Sequence, residues 1–342
     1  MIFNNVVLES IGLHLPEEIR SSESIERAIE GVYRKFKVSV GRLELMTGIR
    51  ERRIWDVPFV PSQESSQAAK KALGKSKISR DKIGLLVHGG VCRDRLEPAT
   101  AAYVHGELAL SSSVQFIDVS NACLGFVNGM LIAASMIESG TIESALIVTA
   151  EGSRELLENT IETINNKPLS RKELKSYFAN LTIGSGAVAA VLCSKELSPD
   201  SPQLIGGVVG ADSNHNELCE GGSNRQGHEM MTDSEALLKA GIGLAKQTWK
   251  SFKHVTGWND PMINHYICHQ VGKMHQSALY DALKIDSKKD FSTYPTLGNM
   301  GSAALPGTLA KAMEQEIFRK GEKVALLGIG SGISSIMLGL QI

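Results

Sequence analysis

The stretch VQFIDVSNACLGFVNGMLIAASMIESG, residues 114–140, decides the expected fold. Its first part alternates apolar and polar residues as a strand does, and its second part carries the small and apolar residues of a buried helix. Cys123 lies where the strand gives way to the helix, and Gly140 is well placed to end that helix. The stretch therefore predicts a β-strand, a sharp turn at a cysteine and a buried α-helix.

Short apolar runs rich in β-branched residues predict further buried strands along the chain. Segments with apolar residues at three- and four-residue spacing lie between most of these runs and predict helices. Strands that alternate with helices are typical of an α/β protein, in which helices cover sheet layers. The runs interpreted as strands are 83–87, 145–149, 187–192, 263–268 and 323–329.

The length of 342 residues favours two lobes or one domain built from two similar halves. Each half contains a strand, a turn, a small-residue helix and a closing strand, and we predict that the halves are residues 1–205 and 206–342. Two polar segments interrupt this pattern. Residues 153–180 are predicted to be a helical insertion and residues 211–234 an irregular surface excursion, and both are candidate lids over a pocket.

The composition restricts the classes of partner. Charged residues make up 21% of the chain, the formal net charge is −1, and no long run of one sign occurs. These features disfavour a nucleic-acid or anionic-membrane surface and favour small molecules or proteins as partners. The sequence contains no signal-peptide pattern and no apolar run long enough to span a membrane, so we expect a soluble cytoplasmic protein.

The five cysteines are scattered and form no C-x-x-C pair, which argues against a disulfide framework and a zinc ribbon. A cysteine with a role is therefore expected to be a free thiol. At the start of a helix, unpaired N–H groups favour an anion, so we expect the thiol of Cys123 to be shifted toward the nucleophilic thiolate. The alternative is that Cys123 is simply a small buried apolar residue.

The sequence N-A-C at 121–123, followed by a helix that contains glycine, resembles the thiolase superfamily and especially its 3-oxoacyl-synthase-III-like branch. His269 in an H-Q sequence and Asn299 in G-N-M-G-S-A-A-L-P resemble two further motifs of this family. The resemblance implies a five-layer αβαβα sandwich of two similar halves and a catalytic triad of Cys123, His269 and Asn299. It also implies an oxyanion hole formed by the backbone N–H groups of Cys123 and Ser331. An imidazole and an amide are suited to stabilise an enolate oxygen.

Other interpretations of these residues remain open. His265, His269 and His275 could form a metal cluster, but no acidic residue follows at ligand spacing, which disfavours zinc. Asn299 could be a turn residue between two glycines. The sequence G-I-G-S-G at 328–332 could hold a phosphate, but it lacks the lysine of a P-loop. We expect no metal and no cofactor, with coenzyme A thioesters as substrates.

The stretch R-D-R-L-E-P-A-T-A at 93–101 resembles the OleA-type thiolases, which join two fatty acyl-CoAs at the start of head-to-head olefin biosynthesis. The resemblance implies a homodimer in which Glu97 reaches into the neighbouring active site and acts as a base. Condensing two plain acyl thioesters requires removal of an α-proton, which calls for a buried carboxylate with a raised pKa. Apart from the resemblance, Glu97 would be interpreted as an exposed loop residue.

The sequence thus predicts an acyltransferase that condenses two fatty acyl-CoAs, without decarboxylation, through an acyl-cysteine to a 2-alkyl-3-oxoacyl product. A homodimer and downstream pathway enzymes are the expected protein partners. One alternative is a 3-oxoacyl-ACP synthase III that uses malonyl-ACP, and another is a non-catalytic thiolase-like binding subunit. The initiating synthases commonly carry H-Q-A-N, whereas this chain has H-Q-V-G at 269–272, which disfavours the first alternative.

Two arginines are candidate substrate contacts. Arg52 and Arg53 lie in the sequence T-G-I-R-E-R-R at 47–53, and we expect them to contact the phosphates of coenzyme A. The alternative is a solvated charged turn. Chain length, branching and the identity of the acceptor depend on side-chain packing that the sequence does not determine.

Overall fold

The computed structural model describes residues 1–224 and 227–342. The strands within these ranges are β1 (Val6–His14), β2 (Glu18–Ser21), β3 (Glu51–Ile54), β4 (Ile83–Gly89), β5 (Gln115–Val119), β6 (Ser144–Glu151), β7 (Gly186–Ser194), β8 (Gln203–Ala211), β9 (Cys219–Asn224), β10 (Gly227–Thr232), β11 (His265–Cys268), β12 (Lys323–Gly330) and β13 (Ser334–Gln341). The α-helices are α1 (Ser22–Ala28), α2 (Glu30–Lys35), α3 (Arg42–Thr47), α4 (Pro61–Lys75), α5 (Thr100–Glu107), α6 (Gly125–Glu138), α7 (Arg154–Asn166), α8 (Arg171–Tyr177), α9 (Ser234–Thr256), α10 (Lys273–Leu283), α11 (Tyr294–Leu297) and α12 (Ala304–Glu314). In the described part of the chain, no helix combines the length and apolar character needed to cross a membrane.

Nine strands form a continuous sheet in the order β11-β12-β13-β8-β1-β7-β6-β4-β5. β1 and β8 meet in the middle, where Val7 pairs with Gln203. Outward from this junction the two sides repeat each other, because in each the first three strands are antiparallel and the next strand joins in parallel. The chain crosses from the first half of the sheet to the second at residues 195–202, just before β8. The predicted boundary at residue 205 lies within β8.

Two helices, α6 and α12, lie between the two sides of the sheet. Their apolar residues share one buried core with Leu85 and Ile147 from the first side and with Leu326 and Leu338 from the second. A helix that is apolar on nearly every face, as α6 is, requires such burial on both sides. Helices α4 and α5 cover the outer face of the first side, and α9 and α10 cover that of the second. This order of layers confirms the expected αβαβα sandwich.

The two polar segments pack together beside this sandwich. The segment 153–180 contains α7 and α8, and α8 begins with a capping box between Ser170 and Glu173. The expectation of an irregular excursion at 211–234 is wrong, because β9 and β10 pair as a two-stranded ribbon that packs against α7 and α8. Tertiary contacts override the low strand propensity of its glycine-rich sequence. Residues 225–226 of that segment lie outside the described residues.

Candidate active site

A cavity of about 2870 Å³ is lined by residues from both halves of the chain. The first side contributes Cys123, and the second contributes His269, Asn299 and Ser331. Parts of α8 and of the β9–β10 ribbon also line the cavity. Four residues that were singled out in the sequence therefore share one cavity, although Cys123 and Ser331 are 208 positions apart in the chain.

Cys123 lies in a single 3₁₀ turn, Ala122–Leu124, between β5 and α6. The φ angle of Ala122 is +44°, a left-handed conformation that is strained for a residue with a side chain. The backbone N–H of Leu124 donates to the carbonyl of Asn121 at 2.8 Å, and the Asn121 amide donates to the Asn128 side chain at 2.5 Å. These bonds hold the turn in its sharp conformation.

Glycines let neighbouring backbone approach this turn closely. A Cβ atom on Gly89, at the end of β4, would lie 2.4 Å from the carbonyl oxygen of Gly125, so only glycine fits there. On the other side, a Cβ atom on Gly330, at the end of β12, would lie 3.1 Å from Leu124 Cγ and 3.7 Å from Cys123 Cβ. The cysteine is thus fixed between strands of both halves.

Burial raises the pKa of the Cys123 thiol to about 12, with a further contribution from the nearby Glu151 carboxylate and then from Cys219. The sequence-based expectation of a thiol shifted toward thiolate is therefore wrong. Burial is the largest cause of the shift, and helix α6 begins only at Gly125, two positions after the cysteine. The thiol is protonated at neutral pH and must lose its proton as it reacts.

His269 follows β11, and its backbone N–H donates to the carbonyl of Leu327 at 2.9 Å. Burial, followed by the effect of His275, lowers the pKa of the His269 imidazole to about 4. Within the described residues, its Nδ1 atom is buried without a hydrogen-bond partner. The imidazole is therefore neutral at neutral pH and is able to accept a proton.

Asn299 lies in a turn in which Gly298 has a φ of +64° and Gly301 a φ of +55°. Its backbone is held by Thr182, whose carbonyl accepts the Asn299 N–H at 3.0 Å, and by Gly184, whose N–H donates to the Asn299 carbonyl at 2.9 Å. The side-chain Oδ1 atom accepts the N–H of Gly301 at 3.1 Å. Since the oxygen of the amide is engaged, its N–H₂ end is the donor that it offers to the cavity.

Ser331 directly follows β12 and lines the cavity, whereas Glu97 does not. Glu97 is exposed in the loop between β4 and α5, and the part of this loop that lines the cavity is 91–96. The expectation of a buried, desolvated glutamate is therefore not met within a single protomer.

Neither arginine of the T-G-I-R-E-R-R sequence reaches the cavity, which corrects the expectation that they contact coenzyme A phosphates. Arg52 is fully buried, and its guanidinium donates to the carbonyls of Arg20 and Leu181 at 3.1 and 3.0 Å. Burial lowers its pKa to about 10. Arg53 is half-buried and donates to the carbonyl of Glu17 at 3.1 Å. Both guanidinium groups bind backbone carbonyls that are distant in sequence.

Glu151 is a cavity residue that the sequence interpretation missed. Glu151 is only 4% exposed. Its Oε1 atom accepts hydrogen bonds from the N–H of Val91 at 2.9 Å and from the hydroxyl of Ser302 at 2.5 Å. Oε2 accepts the N–H of Cys92 at 3.2 Å. The available signal was a single charged residue at the end of the otherwise uncharged strand SALIVTAE.

Among the residues that the structure describes, no group of three or more His, Cys, Asp or Glu side chains is arranged to hold a metal ion. His265 instead approaches Glu322, with 3.0 Å between its Nε2 atom and the carboxylate. Its ring also contacts Phe318. This histidine is thus engaged outside the cavity.

Known proteins share both the sequence and the fold. Residues 117–213 match the family 3-oxoacyl-[acyl-carrier-protein (ACP)] synthase III, and residues 254–341 match its C-terminal part. Two proteins named acyl-CoA:acyl-CoA alkyltransferase are 37% identical (Shewanella oneidensis, 100% of both chains) and 38% identical (Xanthomonas campestris, 98% of both chains). A beta-ketoacyl-[acyl-carrier-protein] synthase III from Natranaerobius thermophilus is 28% identical over 97% of both chains.

The crystal structure of cerulenin-bound OleA from Xanthomonas campestris superimposes with a TM-score of 0.96 and 36% identity. The match covers 100% of this chain and 98% of that one. Together with the shared layers, the cysteine turn and the cavity, these similarities show that the chain belongs to the OleA-type acyl-CoA:acyl-CoA alkyltransferases, a family of condensing acyltransferases with the thiolase fold.

Proposed function

We propose that this enzyme joins two fatty acyl-CoA molecules by a Claisen condensation without decarboxylation. The observation that carries the proposal is the meeting of the Cys123 thiol, a neutral His269 imidazole and the Asn299 amide in one cavity of an alkyltransferase-family chain. A nucleophile, a proton acceptor and a neutral hydrogen-bond donor are the groups that this reaction requires.

In the first half-reaction the sulfur of Cys123 attacks the thioester carbonyl of one acyl-CoA. Because the thiol is protonated at neutral pH, His269 takes its proton during the attack. The backbone N–H groups of Cys123 and Ser331 hold the oxyanion. The C–S bond to coenzyme A then breaks, and the proton on His269 passes to the departing thiolate. The acyl group remains on Cys123 as a thioester.

In the second half-reaction a carboxylate removes an α-proton from another acyl-CoA. His269 and the N–H₂ group of Asn299 donate hydrogen bonds to the resulting enolate oxygen. The carbanion attacks the carbonyl of the acyl-cysteine and the new C–C bond forms. The Cys123 sulfur leaves and takes up a proton that balances the one removed by the carboxylate, which restores the thiol and the carboxylate. The product is a 2-alkyl-3-oxoacyl thioester, or the acid after hydrolysis. This chemistry needs no metal and no organic cofactor.

The carboxylate that we assign to the proton abstraction is Glu97 of the partner subunit. Solved structures of Xanthomonas campestris OleA include variants in which a glutamate, a cysteine or a histidine is replaced, in that order along the chain. The replaced glutamate and cysteine are separated by as many positions as Glu97 and Cys123. A residue that enters the active site of the partner subunit must be exposed in its own protomer, as Glu97 is.

The homodimer is supported by the surface around Glu97. β5 is the edge strand on this side of the sheet, and an unpaired edge readily pairs with another strand. Large apolar side chains are exposed on this strand, on α5 and in the loop between β4 and α5, with Leu96 97%, Val91 58%, Phe116 43% and Tyr103 38% exposed. Apolar exposure of this kind marks a protein interface. Two copies joined along β5 would cover these side chains.

Two consequences follow for the cellular context of the reaction. Enzymes that consume the 2-alkyl-3-oxoacyl product are the pathway partners of this proposal. The cytoplasm is the location that we propose for the reaction.

The proposal is tested by covalent labelling and product analysis. Wild-type enzyme incubated with radiolabelled fatty acyl-CoA is expected to retain label after denaturation, and the Cys123→Ala variant to retain none. Cys219→Ala, which changes another cysteine of the same cavity, serves as the control and should keep the label. Retained label in the Cys123→Ala variant would contradict the acyl-cysteine step. A strict need for malonyl-ACP in forming product would favour a 3-oxoacyl-ACP synthase III instead.

A further inference from the structure

Glu151 connects two loops that carry residues of the proposed reaction. On one side, its carboxylate accepts the backbone N–H groups of Val91 and Cys92 at 2.9 and 3.2 Å. These two residues begin the loop that leads to Glu97. Charge-assisted bonds to backbone N–H groups are stronger than neutral ones and fix the position of the backbone.

On the other side, the same carboxylate binds the turn that follows Asn299. The Ser302 hydroxyl lies 2.5 Å from Oε1 and its backbone N–H lies 3.4 Å from the same atom. The hydroxyls of Ser302 and Thr149 are also 2.6 Å apart. Because Gly301 donates to the Asn299 side chain, displacement of Ser302 would disturb the amide that faces the cavity.

Small residues on both loops allow this contact. A Cβ atom on Gly90 would lie 3.1 Å from Glu151 Oε1, and one on Gly301 would lie 3.2 Å from Glu151 Cδ. Both distances are shorter than ordinary van der Waals contact, so side chains at these positions would push the carboxylate away. The two glycines therefore leave the space that the Glu151 side chain occupies.

Glu151 also lies close enough to Cys123 to act on its thiol. The groups that oppose ionisation of this thiol are Glu151 from β6 and Cys219 from β9, in addition to burial itself. His269, after β11, is the remaining titratable group of the triad in the cavity, and it is neutral at neutral pH. The carboxylate thus places a negative charge near a sulfur that must itself become negative.

We propose that Glu151 is a positioning residue for the condensation step, because its carboxylate holds the Glu97 loop and the Asn299 turn in register beside Cys123. This inference rests on the proposed function. Acylation uses Cys123 and His269, whereas condensation also depends on Glu97 and Asn299. Loss of the carboxylate therefore impairs the second half-reaction more than the first.

The first test is Glu151→Gln, with Glu158→Gln as the control. Glu158 lies on the neighbouring helix α7 outside the cavity lining, where it forms an exposed ion pair with Arg154. In Glu151→Gln we expect kcat for product formation to fall on the order of 10- to 100-fold, with little change in KM and with the acyl-enzyme burst retained. Glu158→Gln should match wild type. Equal loss of acylation and condensation, or wild-type kcat in Glu151→Gln, would overturn the assignment.

The second test separates the charge from the hydrogen bond and needs no substrate. Alkylation of Cys123 by iodoacetamide is followed against pH in Glu151→Gln and in Ser302→Ala. Removing the negative charge is expected to shift the Cys123 profile to lower pH, while burial keeps the pKa above its ordinary value. Ser302→Ala keeps the charge, so its alkylation profile should stay as in wild type while its condensation rate falls. An unshifted profile in Glu151→Gln would show that the Glu151 charge does not act on the Cys123 thiol.

These measurements distinguish failure of the inference from failure of the proposed function. If wild-type enzyme takes no label from acyl-CoA and forms no product, the proposed function fails, whatever the variants do. If wild type is labelled and forms product while Glu151→Gln behaves identically, only the inference fails. The thermal midpoint of each variant identifies one that has merely lost its fold. In that case Ser302→Ala, which retains the carboxylate, decides the positioning role.

Discussion

The thiol of Cys123 is expected to react slowly with alkylating reagents at neutral pH. Its pKa of about 12 compares with an ordinary value of 9.0 for cysteine. At pH 8 this difference leaves roughly 1000-fold less thiolate than an ordinary thiol would have. A thiolate of higher pKa is intrinsically more nucleophilic, by about 20-fold for this difference. The net expectation at pH 8 is alkylation about 50-fold slower than for an ordinary exposed cysteine.

The sign of the pH dependence follows from the same pKa. Only the thiolate reacts, so the alkylation rate should rise about tenfold for each pH unit and continue to rise as far as pH 10. The assay is timed labelling with iodoacetamide between pH 6 and pH 10, with each cysteine-containing peptide quantified by mass spectrometry. Cys219, in the same cavity, provides an internal comparison within each sample.

A plateau of the Cys123 rate between pH 6 and pH 8 would refute the reasoning. Such a plateau would mean that the thiolate already predominates at neutral pH and that the helix N-terminus outweighs burial. Acylation would then proceed from a resting thiolate, and His269 would not be needed to accept the thiol proton. A continued rise with pH, combined with rapid acylation by acyl-CoA at pH 7.5, would show that the proton leaves during the attack.

Three further substitutions test the packing of the fold. Gly89→Ala places a Cβ atom 2.4 Å from the Gly125 carbonyl, so we expect a loss of about 1–3 kcal/mol in the free energy of unfolding and slower acylation. Gly74→Ala, with open space around it on α4, should be neutral or stabilising by about 0.5–1 kcal/mol, and chemical denaturation measures both. Arg52→Met removes a buried guanidinium that binds two carbonyls, so it should lower the thermal midpoint and leave KM for acyl-CoA unchanged. An increased KM at unchanged stability would restore the phosphate-contact hypothesis.

Local patterns in the sequence predicted the main strands and helices of the fold. The strand-turn-helix at Cys123 and the apolar faces of α6 depend on residues that are adjacent in the chain, so periodicity reveals them. The order of the five layers was what the family resemblance implied.

The errors concern properties that distant residues create. Arg52 resembles a surface charge in sequence, but carbonyls of Arg20 and Leu181 satisfy it inside the protein. The ribbon of β9 and β10 is stabilised by packing on α7 and α8, which its own glycine-rich sequence does not indicate. The pKa of Cys123 depends on how completely the surrounding segments exclude water. Glu151 was missed because its partners lie in two loops about sixty positions before it and one hundred and fifty after it.

The repeated arrangement of strands on the two sides of β1 and β8 has an evolutionary consequence. One half of the sheet carries Cys123, the proposed nucleophile. The other half carries His269 and Asn299, which in the proposed reaction accept its proton and stabilise the negative charge that develops. A descendant that discarded either side would retain half of a reaction, so this architecture does not lend itself to miniaturisation.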